Sequence, residues 1–308
     1  MSLSRVGLIG FGTVGAAVYE LIETNLWEAF EVTKVAVGNP NKARSAAIGD
    51  LLCDANELVR SSEVDVVVEV MGGESPALEL IKTALTAGKR VVTANKELIA
   101  KHYDALMEFG GDLRYEAAVG AGIPVIQVLK TLARTNRIQS IQGILNGTTN
   151  YILSEMEARQ AELAPILRES QELGYAEADP TSDIEGFDSM YKIAILGAIA
   201  SGEQLDLTQI HREGIQEMSL QRVQEAAEHG KRLKLVATWS RESGARVVPQ
   251  ALPMDHPLAR VDGVLNAVKI EGDFMPSLTL MGTGAGGRAT ASAICGDLVA
   301  SAPSTMSS

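Results

Sequence analysis

Gly10-Phe11-Gly12-Thr13-Val14-Gly15 leaves few folds open to this chain. It follows the short apolar run Val6-Gly7-Leu8-Ile9 and opens a stretch of helical periodicity from Thr13 to Leu26. A G-x-G-x-x-G between a strand and a helix has a mechanical reading. The first glycine permits the tight turn, the second lets backbone approach a pyrophosphate, and the third lets helix and strand pack closely. Phosphates then rest on unsatisfied N–H groups at the positive end of the helix. A purely structural glycine turn is the alternative, and the strand–turn–helix context favours a dinucleotide.

The rhythm downstream agrees. Phe30–Val37, Asp65–Val70, Arg90–Thr93 and Leu113–Ala117 read as strands, and Pro76–Ala87 reads as a helix closed by Gly88. The unbroken β-branched run in Asp65–Val70 suits a strand buried on both faces. Alternating strands and helices mean βαβ units and a parallel sheet. After about Arg134 the texture changes. A strand at Ile138–Leu145 precedes helical stretches at Thr148–Arg159, Glu162–Leu173 and Ile184–Ala200. Strand-like runs follow at Lys234–Trp239, Arg246–Gln250, Val264–Ile270 and Leu278–Met281, and a helix from Arg288 to Ala300 closes the chain. Strands gathered around a block of helices indicate an α+β second domain. A length of 308 residues, 46% of them hydrophobic, supports one large core or two moderate ones.

The net charge of −12 disfavours a nucleic-acid surface, which needs clustered Lys and Arg. No apolar run approaches the roughly 18 residues of a membrane span. The N-terminus carries no signal-peptide pattern. Cys53 and Cys295 have no metal or redox spacing and read as two buried thiols in a reducing compartment. His102, His211, His229 and His256 are scattered, without metal-ligand spacing. The expectation is a cytoplasmic protein acting on a small molecule, without nucleic acid or membrane.

A dinucleotide site usually places an acid at the end of the second strand, where it binds the ribose diol of NAD. Here that place reads Val37-Gly38-Asn39-Pro40-Asn41-Lys42-Ala43-Arg44, with no carboxylate. Lys42 and Arg44 are candidates to meet a 2′-phosphate; two solvated surface charges are the alternative. The reading leans to NADP and leaves NAD open.

Four segments together resemble homoserine dehydrogenase: Val92–Lys96, Glu116–Pro124, Ile144–Leu153 and Gly174–Pro180, the last continuing to Asp183, Gly186, Asp188 and Lys192. Gly282-Thr283-Gly284-Ala285-Gly286-Gly287 is a fifth. The match runs in order along nearly the whole chain. The resemblance implies an α/β fold, with a Rossmann-type parallel-sheet nucleotide domain (1–134 plus 282–308) and an α+β substrate and dimerisation domain (135–281). It implies NAD(P)-dependent interconversion of L-aspartate 4-semialdehyde and L-homoserine, in threonine, methionine and isoleucine biosynthesis. It also implies a homodimer, formed through strands expected to be exposed after Ile138 and Val247. Longer members of that family carry a C-terminal regulatory domain of the ACT type, and the reading expects none after the closing helix.

Asp188 and Lys192 are four apart, so they share a helix face. An exposed ion pair is the bland interpretation. The apolar run Ile193–Ala200 argues instead for a buried helix, with Glu177, Asp179, Asp183 and Asp188 crowding its entry. Such crowding calls for a cation, and a substrate ammonium is one. Lys96 follows a strand end, where open α/β sheets bind ligands; a solvent-facing helix start is the alternative. By resemblance, Lys96 and Lys192 approach the reacting oxygen, with Asp188 as their catalytic companion. Glu177, Asp183, Gly174 and Tyr175 hold the substrate. The turn Gly10–Gly15 together with Asn39, Arg44, Thr93, Lys96, Gly284 and Gly286 holds the cofactor. Close packing of the last helix is the other explanation for the second glycine cluster. Glu116, Val119, Ala121 and Ile123 match a monovalent-cation site, for Na⁺ or K⁺, present in some members; a simple tight turn is the alternative. The segment from Gly174-Tyr175-Ala176-Glu177 to Lys192 counts against another small amino-acid dehydrogenase with the same nucleotide domain, and an idle nucleotide sensor would not need Lys96, Asp188 and Lys192 together.

Overall fold

The computed structural model describes residues 3–42, 44 and 48–300. Met1 and Ser2, and residues 301–308 that the first domain was expected to include, lie outside them. The chain forms two compact units, Met1–Gly122 with Gly286–Ser308, and Ile123–Ala285. The first boundary precedes the expected 134 because helix Val125–Thr135 packs on helix Phe187–Ser201 of the second unit. The return falls at Gly286, because Gly282 and Thr283 still belong to the strand Leu278–Thr283.

In the first unit, β1 (Ser4–Ile9), β2 (Phe30–Ala36), β3 (Leu52–Cys53), β4 (Val66–Glu69), β5 (Arg90–Thr93) and β6 (Leu113–Arg114) form one sheet, ordered β3-β2-β1-β4-β5-β6. Every neighbouring pair is parallel. This is the strand order of doubly wound dinucleotide folds, whose switch point lies between β1 and β4. The helices are α1 (Thr13–Leu21), α2 (Ala55–Arg60), α3 (Ala77–Thr86), α4 (Lys96–Lys101) and α5 (Tyr103–Glu108), with the closing helix Gly287–Ala300. Val6, Leu8, Val66, Val68 and Val92 from the sheet pack with Val18 and Ile22 and with Ile294 and Leu298 of the closing helix. Full burial of one such side chain contributes about 1.5–3 kcal/mol.

In the second unit, α6 (Val125–Thr135) leads into β7 (Ile138–Ile144), then α7 (Gly147–Arg159), α8 (Leu163–Glu172), α9 (Thr181–Ile184) and α10 (Phe187–Ser201). After these come β8 (His211–Arg212), α11 (Leu220–Glu228), β9 (Lys231–Ser240), β10 (Gly244–Pro253), β11 (Leu265–Gly272) and β12 (Leu278–Thr283); the closing helix is therefore α12. The sheet order is β12-β11-β7-β9-β10-β8. Only β8–β10 is parallel. Helix α10 lies on this sheet where Gly197 faces Trp239; a Cβ there would stand 2.6 Å from the indole.

Four expectations are corrected. The strands after Ile138 and Val247 are not open edges: β7 pairs with both β11 and β9, and β10 with both β9 and β8. The helix expected over Ile184–Ala200 breaks at Gly186, whose φ of +82° ends α9 and starts α10. The strand expected over Leu113–Ala117 stops at Arg114, and Glu116–Ala118 turn into a 3₁₀ helix. Cys53 is half-buried at the sheet edge, whereas Cys295 is buried and its thiol is pushed up to about 12 by burial.

Gly15 and Gly12 separate packing from access. A Cβ on Gly15 would stand 2.2 Å from the Gly10 carbonyl oxygen, while one on Gly12 would meet nothing within 4 Å. Gly15→Ala should therefore lose about 1–3 kcal/mol of stability by overpacking against rigid backbone. Gly12→Ala should lose less than about 1 kcal/mol. Urea unfolding of both variants checks this, and equal midpoints would refute it.

Candidate active site

Each unit assembles its polar residues at strand ends. In the first, β1 ends at Ile9 and the chain turns through Gly10, whose φ is +102°. A Cβ on Gly10 would stand 2.7 Å from the Val70 carbonyl oxygen. Phe11 and Gly12 complete the turn, Gly12 is the N-cap of α1, and Thr13 and Val14 begin the helix. Beside it begins α12: a Cβ on Gly287 would stand 2.7 Å from Thr13 Cγ2. Two helix N-termini thus meet at the switch point, and the bare surface of Gly12 admits a diphosphate to their N–H groups. The residues present fit a dinucleotide.

At the end of β2, Asn39 Oδ1 accepts from the Asn41 N–H at 3.0 Å. Arg44 folds back on this loop and donates to the carbonyls of Pro40 at 3.2 Å and Lys42 at 2.6 Å, and to that of Asn39. Lys42 is exposed. The Arg44 guanidinium is therefore tied to the backbone of its own loop.

At the ends of β4 and β5 lies a network that sequence reasoning did not find. Glu69 is fully buried; its carboxylate accepts from Thr93 Oγ1 at 2.6 Å and from the N–H groups of Met71 and Gly72 at 2.9 and 3.3 Å. Burial pushes its carboxyl above the usual range. Thr93 Oγ1 in turn accepts from Asn95 N–H at 3.0 Å. Thr93 is thus turned inward. Asn95 donates to the Gly73 carbonyl at 2.6 Å and caps α4 by accepting from Leu98 N–H at 3.2 Å. Lys96 is the first residue of that helix and half-buried.

Glu116 is buried in its 3₁₀ turn, and its N–H donates to Asp297 Oδ2 at 2.9 Å. Val119 and Ala121 follow, Ala121 with an unusual φ of +42°. Ile123 begins the second unit. Among the described residues no group of three or more His, Cys, Asp or Glu side chains could hold a metal.

In the second unit the structure brings Asp183, Asp188 and Lys192 together. The Lys192 ammonium, with the residue only 8% exposed, donates to Asp188 Oδ2 at 2.8 Å and to the Leu145 carbonyl at 2.7 Å. The pair is buried, which rejects the exposed ion pair. Asn146 joins the two acids: its Nδ2 donates to Asp183 Oδ1 at 2.7 Å and Asp188 Oδ2 at 2.9 Å. Burial, then the Asp188 charge, hold the Asp183 carboxyl above its ordinary value, opposed by the Asn146 bond and Lys192. Asp179 does not join them; it accepts from Thr181 N–H at 3.1 Å. Glu177 is exposed in the loop after α8. Gly174 ends α8 at φ +76°, and Tyr175 stacks edge-on against Tyr151 at 5.1 Å. Thr148 Oγ1 donates to the Tyr175 carbonyl at 2.7 Å, which fixes that loop over α7. Gly284 is explained by packing: a Cβ there would stand 2.0 Å from the Asn266 amide carbon. Gly286, at φ +99°, has open space around it.

A carboxyl held above its ordinary value destabilises the fold as it ionises, so the stability present at low pH is lost as pH rises through its folded value. Asp183→Asn should therefore raise the urea midpoint at pH 7 and leave it unchanged near pH 3. A pH-independent effect would show that the carboxyl charge is not the cause.

Comparisons with known proteins point to one family. The family model described as "Homoserine dehydrogenase" matches residues 124–299, and "Homoserine dehydrogenase, NAD binding domain" matches residues 10–110. The homoserine dehydrogenase of Pseudomonas aeruginosa is 40% identical, covering 96% of this chain and 71% of that protein. A homoserine dehydrogenase structure from Thiobacillus denitrificans superposes with a TM-score of 0.91 at 41% identity, over 97% of this chain and 73% of its own. A hyperthermophilic archaeal homoserine dehydrogenase in complex with NADPH gives a TM-score of 0.83 at 31% identity, over 97% of each chain. With its parallel dinucleotide sheet and its buried acid–lysine cluster, this chain belongs to the homoserine dehydrogenase family, the oxidoreductases of the aspartate pathway of amino-acid biosynthesis.

Proposed function

We propose that the chain interconverts L-aspartate 4-semialdehyde and L-homoserine, with Lys192 as the proton-handling group. The observation that carries this is the charge of the second unit's cluster. Within the second unit, Asp183 and Asp188 lie beside the Lys192 ammonium, joined by Asn146, and two carboxylates in a partly buried place favour an arriving cation. An amino-acid substrate brings the answering ammonium, with Asp183 and Glu177 to receive it and the Gly174–Tyr175 loop beside them. When bound, the nicotinamide supplies and takes back the hydride. As the aldehyde carbon gains hydride, its oxygen gains negative charge; the Lys192 ammonium stabilises and protonates it. In the other direction neutral Lys192 accepts the hydroxyl proton. Asp188 and the Leu145 carbonyl hold the ammonium for both steps. Lys96, on α4, is assigned the second lysine role.

The diphosphate is assigned to the turn Gly10–Gly15, with Gly286 as a second backbone surface and Thr93 acting through Asn95. NADP is the assigned cofactor. Its support is the Arg44 guanidinium fixed beside Asn39 where NAD enzymes place an acid, together with the NADPH held by the archaeal relative. Glu116, Val119, Ala121 and Ile123 are assigned a Na⁺ or K⁺. The positive φ of Ala121 suits carbonyls turned toward a hard cation.

A homodimer is the assigned assembly, and its support is one face of the second unit's sheet. Gln142 Oε1 and Thr238 Oγ1 are cross-strand neighbours, buried and without a partner among the described residues. Met281, on the same face, is 60% exposed. A second copy would cover that methionine. The assigned location is the cytoplasm; among the described residues no helix is long and apolar enough to cross a membrane.

The deciding assay follows homoserine oxidation with NADP and with NAD. Lys192→Ala and Lys96→Ala should each lower kcat by roughly 10²-fold or more, the range of a proton-transfer role, with little change in cofactor Kd. Near-normal turnover in both would overturn the assignment. Arg44→Ala should cost roughly tenfold in kcat/KM with NADP alone, or about 1.4 kcal/mol. An unselective result, or a wild-type preference for NAD, would reject the NADP reading. Light scattering that gives a monomer at micromolar concentration would reject the dimer.

A further inference from the structure

Asn146 lies in the resembling segment Ile144–Leu153 but has no role assigned to it there, and its side chain bonds to both acids. It is 6% exposed and sits between β7 and α7. Its Oδ1 accepts from Thr149 N–H at 2.8 Å and from Thr149 Oγ1 at 3.0 Å, which caps α7. The amide is thereby oriented: with Oδ1 on the helix N-terminus, Nδ2 must face the carboxylates. A flipped amide would set an oxygen against two carboxylate oxygens and a nitrogen against a donor. Each Nδ2 hydrogen then has its own acid, Asp183 Oδ1 at 2.7 Å and Asp188 Oδ2 at 2.9 Å.

We propose that Asn146 is a positioning residue that holds Asp183 and Asp188 as an ionised pair, and so sets the pH at which the cluster accepts a substrate ammonium. The role rests on the reading that the cluster receives an amino acid. Two like charges in partial burial resist ionising together. Asp188 is answered by Lys192. Asp183 faces Asp188 and Lys192 from α10, and Asn146 and Thr148 from the start of α7. Of these, Asn146 and Thr148 are neutral donors that favour the charged carboxylate, and Asn146 alone also reaches the opposing acid. Without the amide, Asp183 keeps its burial and its like-charged neighbour and loses a stabilising bond, so it ionises at higher pH.

Asn146→Ser separates this role from capping, because serine is an equally good N-cap but offers no amide to the acids. Asn146→Gly, also tolerated at a cap, is measured beside it. In both, the KM for homoserine should rise roughly tenfold, the factor for one hydrogen bond to a charged group. The kcat at high pH should stay within about threefold, since Lys192 keeps Asp188 and the Leu145 carbonyl. The acid limb of kcat/KM should move to higher pH. A readout without substrate accompanies these: the thermal-stability deficit against wild type should be small near pH 4 and grow toward neutrality. The lost bond matters only once Asp183 is charged. Adding Asp183→Asn should remove that pH dependence. An unmoved acid limb with a pH-independent deficit would show that Asn146 only caps α7 and would overturn the proposal. If the wild-type protein does not turn over homoserine while the deficit still grows with pH, the positioning role stands and the substrate reading fails.

Discussion

An ammonium buried in the second unit sets the geometry of everything around it. Lys192 projects from α10 and reaches the Leu145 carbonyl just past the end of β7, so the charge fastens that helix to the strand end. Asp188, one turn earlier, supplies the countercharge. Buried ion pairs add little net stability, because desolvation offsets their attraction. Removing one partner is another matter: it leaves the other charge buried and costs about 3–5 kcal/mol. The pair therefore acts chiefly as a positional constraint. It holds an ammonium in a fixed place, with two acceptors already oriented, and proton transfer at a reacting oxygen needs such pre-organisation.

The same device recurs beneath it. Lys234, on β9 and 1% exposed, donates to Asn150 Oδ1 and Ser154 Oγ on α7 at 3.0 Å each and to the Val261 carbonyl at 2.6 Å. Asn150 Nδ2 adds bonds to the carbonyls of Val261, Gly263 and Leu265. Carbonyls of the segment Val261–Leu265 are thus met by side chains of α7 and β9. The loop lies so close that a Cβ on Gly147 would stand 2.7 Å from the Val264 carbonyl oxygen. Helix α7, whose cap is Asn146, is therefore pinned near its start. In the first unit, Glu69, Thr93 and Asn95 do comparable work under Lys96. In both units an asparagine caps a helix at a strand end and uses its amide nitrogen to fix a neighbouring segment.

Local backbone demands were legible in the residues; long-range partners were not. The glycine turn announced its own geometry because Gly10 needs a positive φ and Gly15 needs the absence of a Cβ. Those requirements imply the strand, the helix and the parallel sheet. The spacing of Asp188 and Lys192 put them on one face, and the apolar run after them pointed to burial. Which acids join that pair was beyond the pattern. Asp179 and Asp183 look alike in sequence, but one turns back to Thr181 and the other meets an amide 37 positions away. Asn146 carried a signal that went unused, an Asn-Gly-Thr at a strand-to-helix junction, where asparagine is a strong cap. Glu69 carried none, since a carboxylate at the end of a valine run declares no partner. The central place of β7 was likewise hidden, because strand order depends on pairings with β9 and β11, formed far along the chain.

A site built this way works against its own fold. Within the second unit the cluster gathers Asp183 and Asp188 beside the Lys192 ammonium and closes them partly from water, so an electrostatic cost grows as Asp183 ionises. Packing around it can bear that cost because α10 is anchored by apolar contacts, among them Ile193, Ile195 and Leu196, which are fully buried. On the proposed reading, a substrate ammonium would relieve that cost, and binding would then be linked to stability. Specificity follows from the same balance. On the proposed reading, a neutral analogue of the substrate would leave the two carboxylates unanswered and a dianionic one would add to their charge, so the cluster would favour a cationic amine.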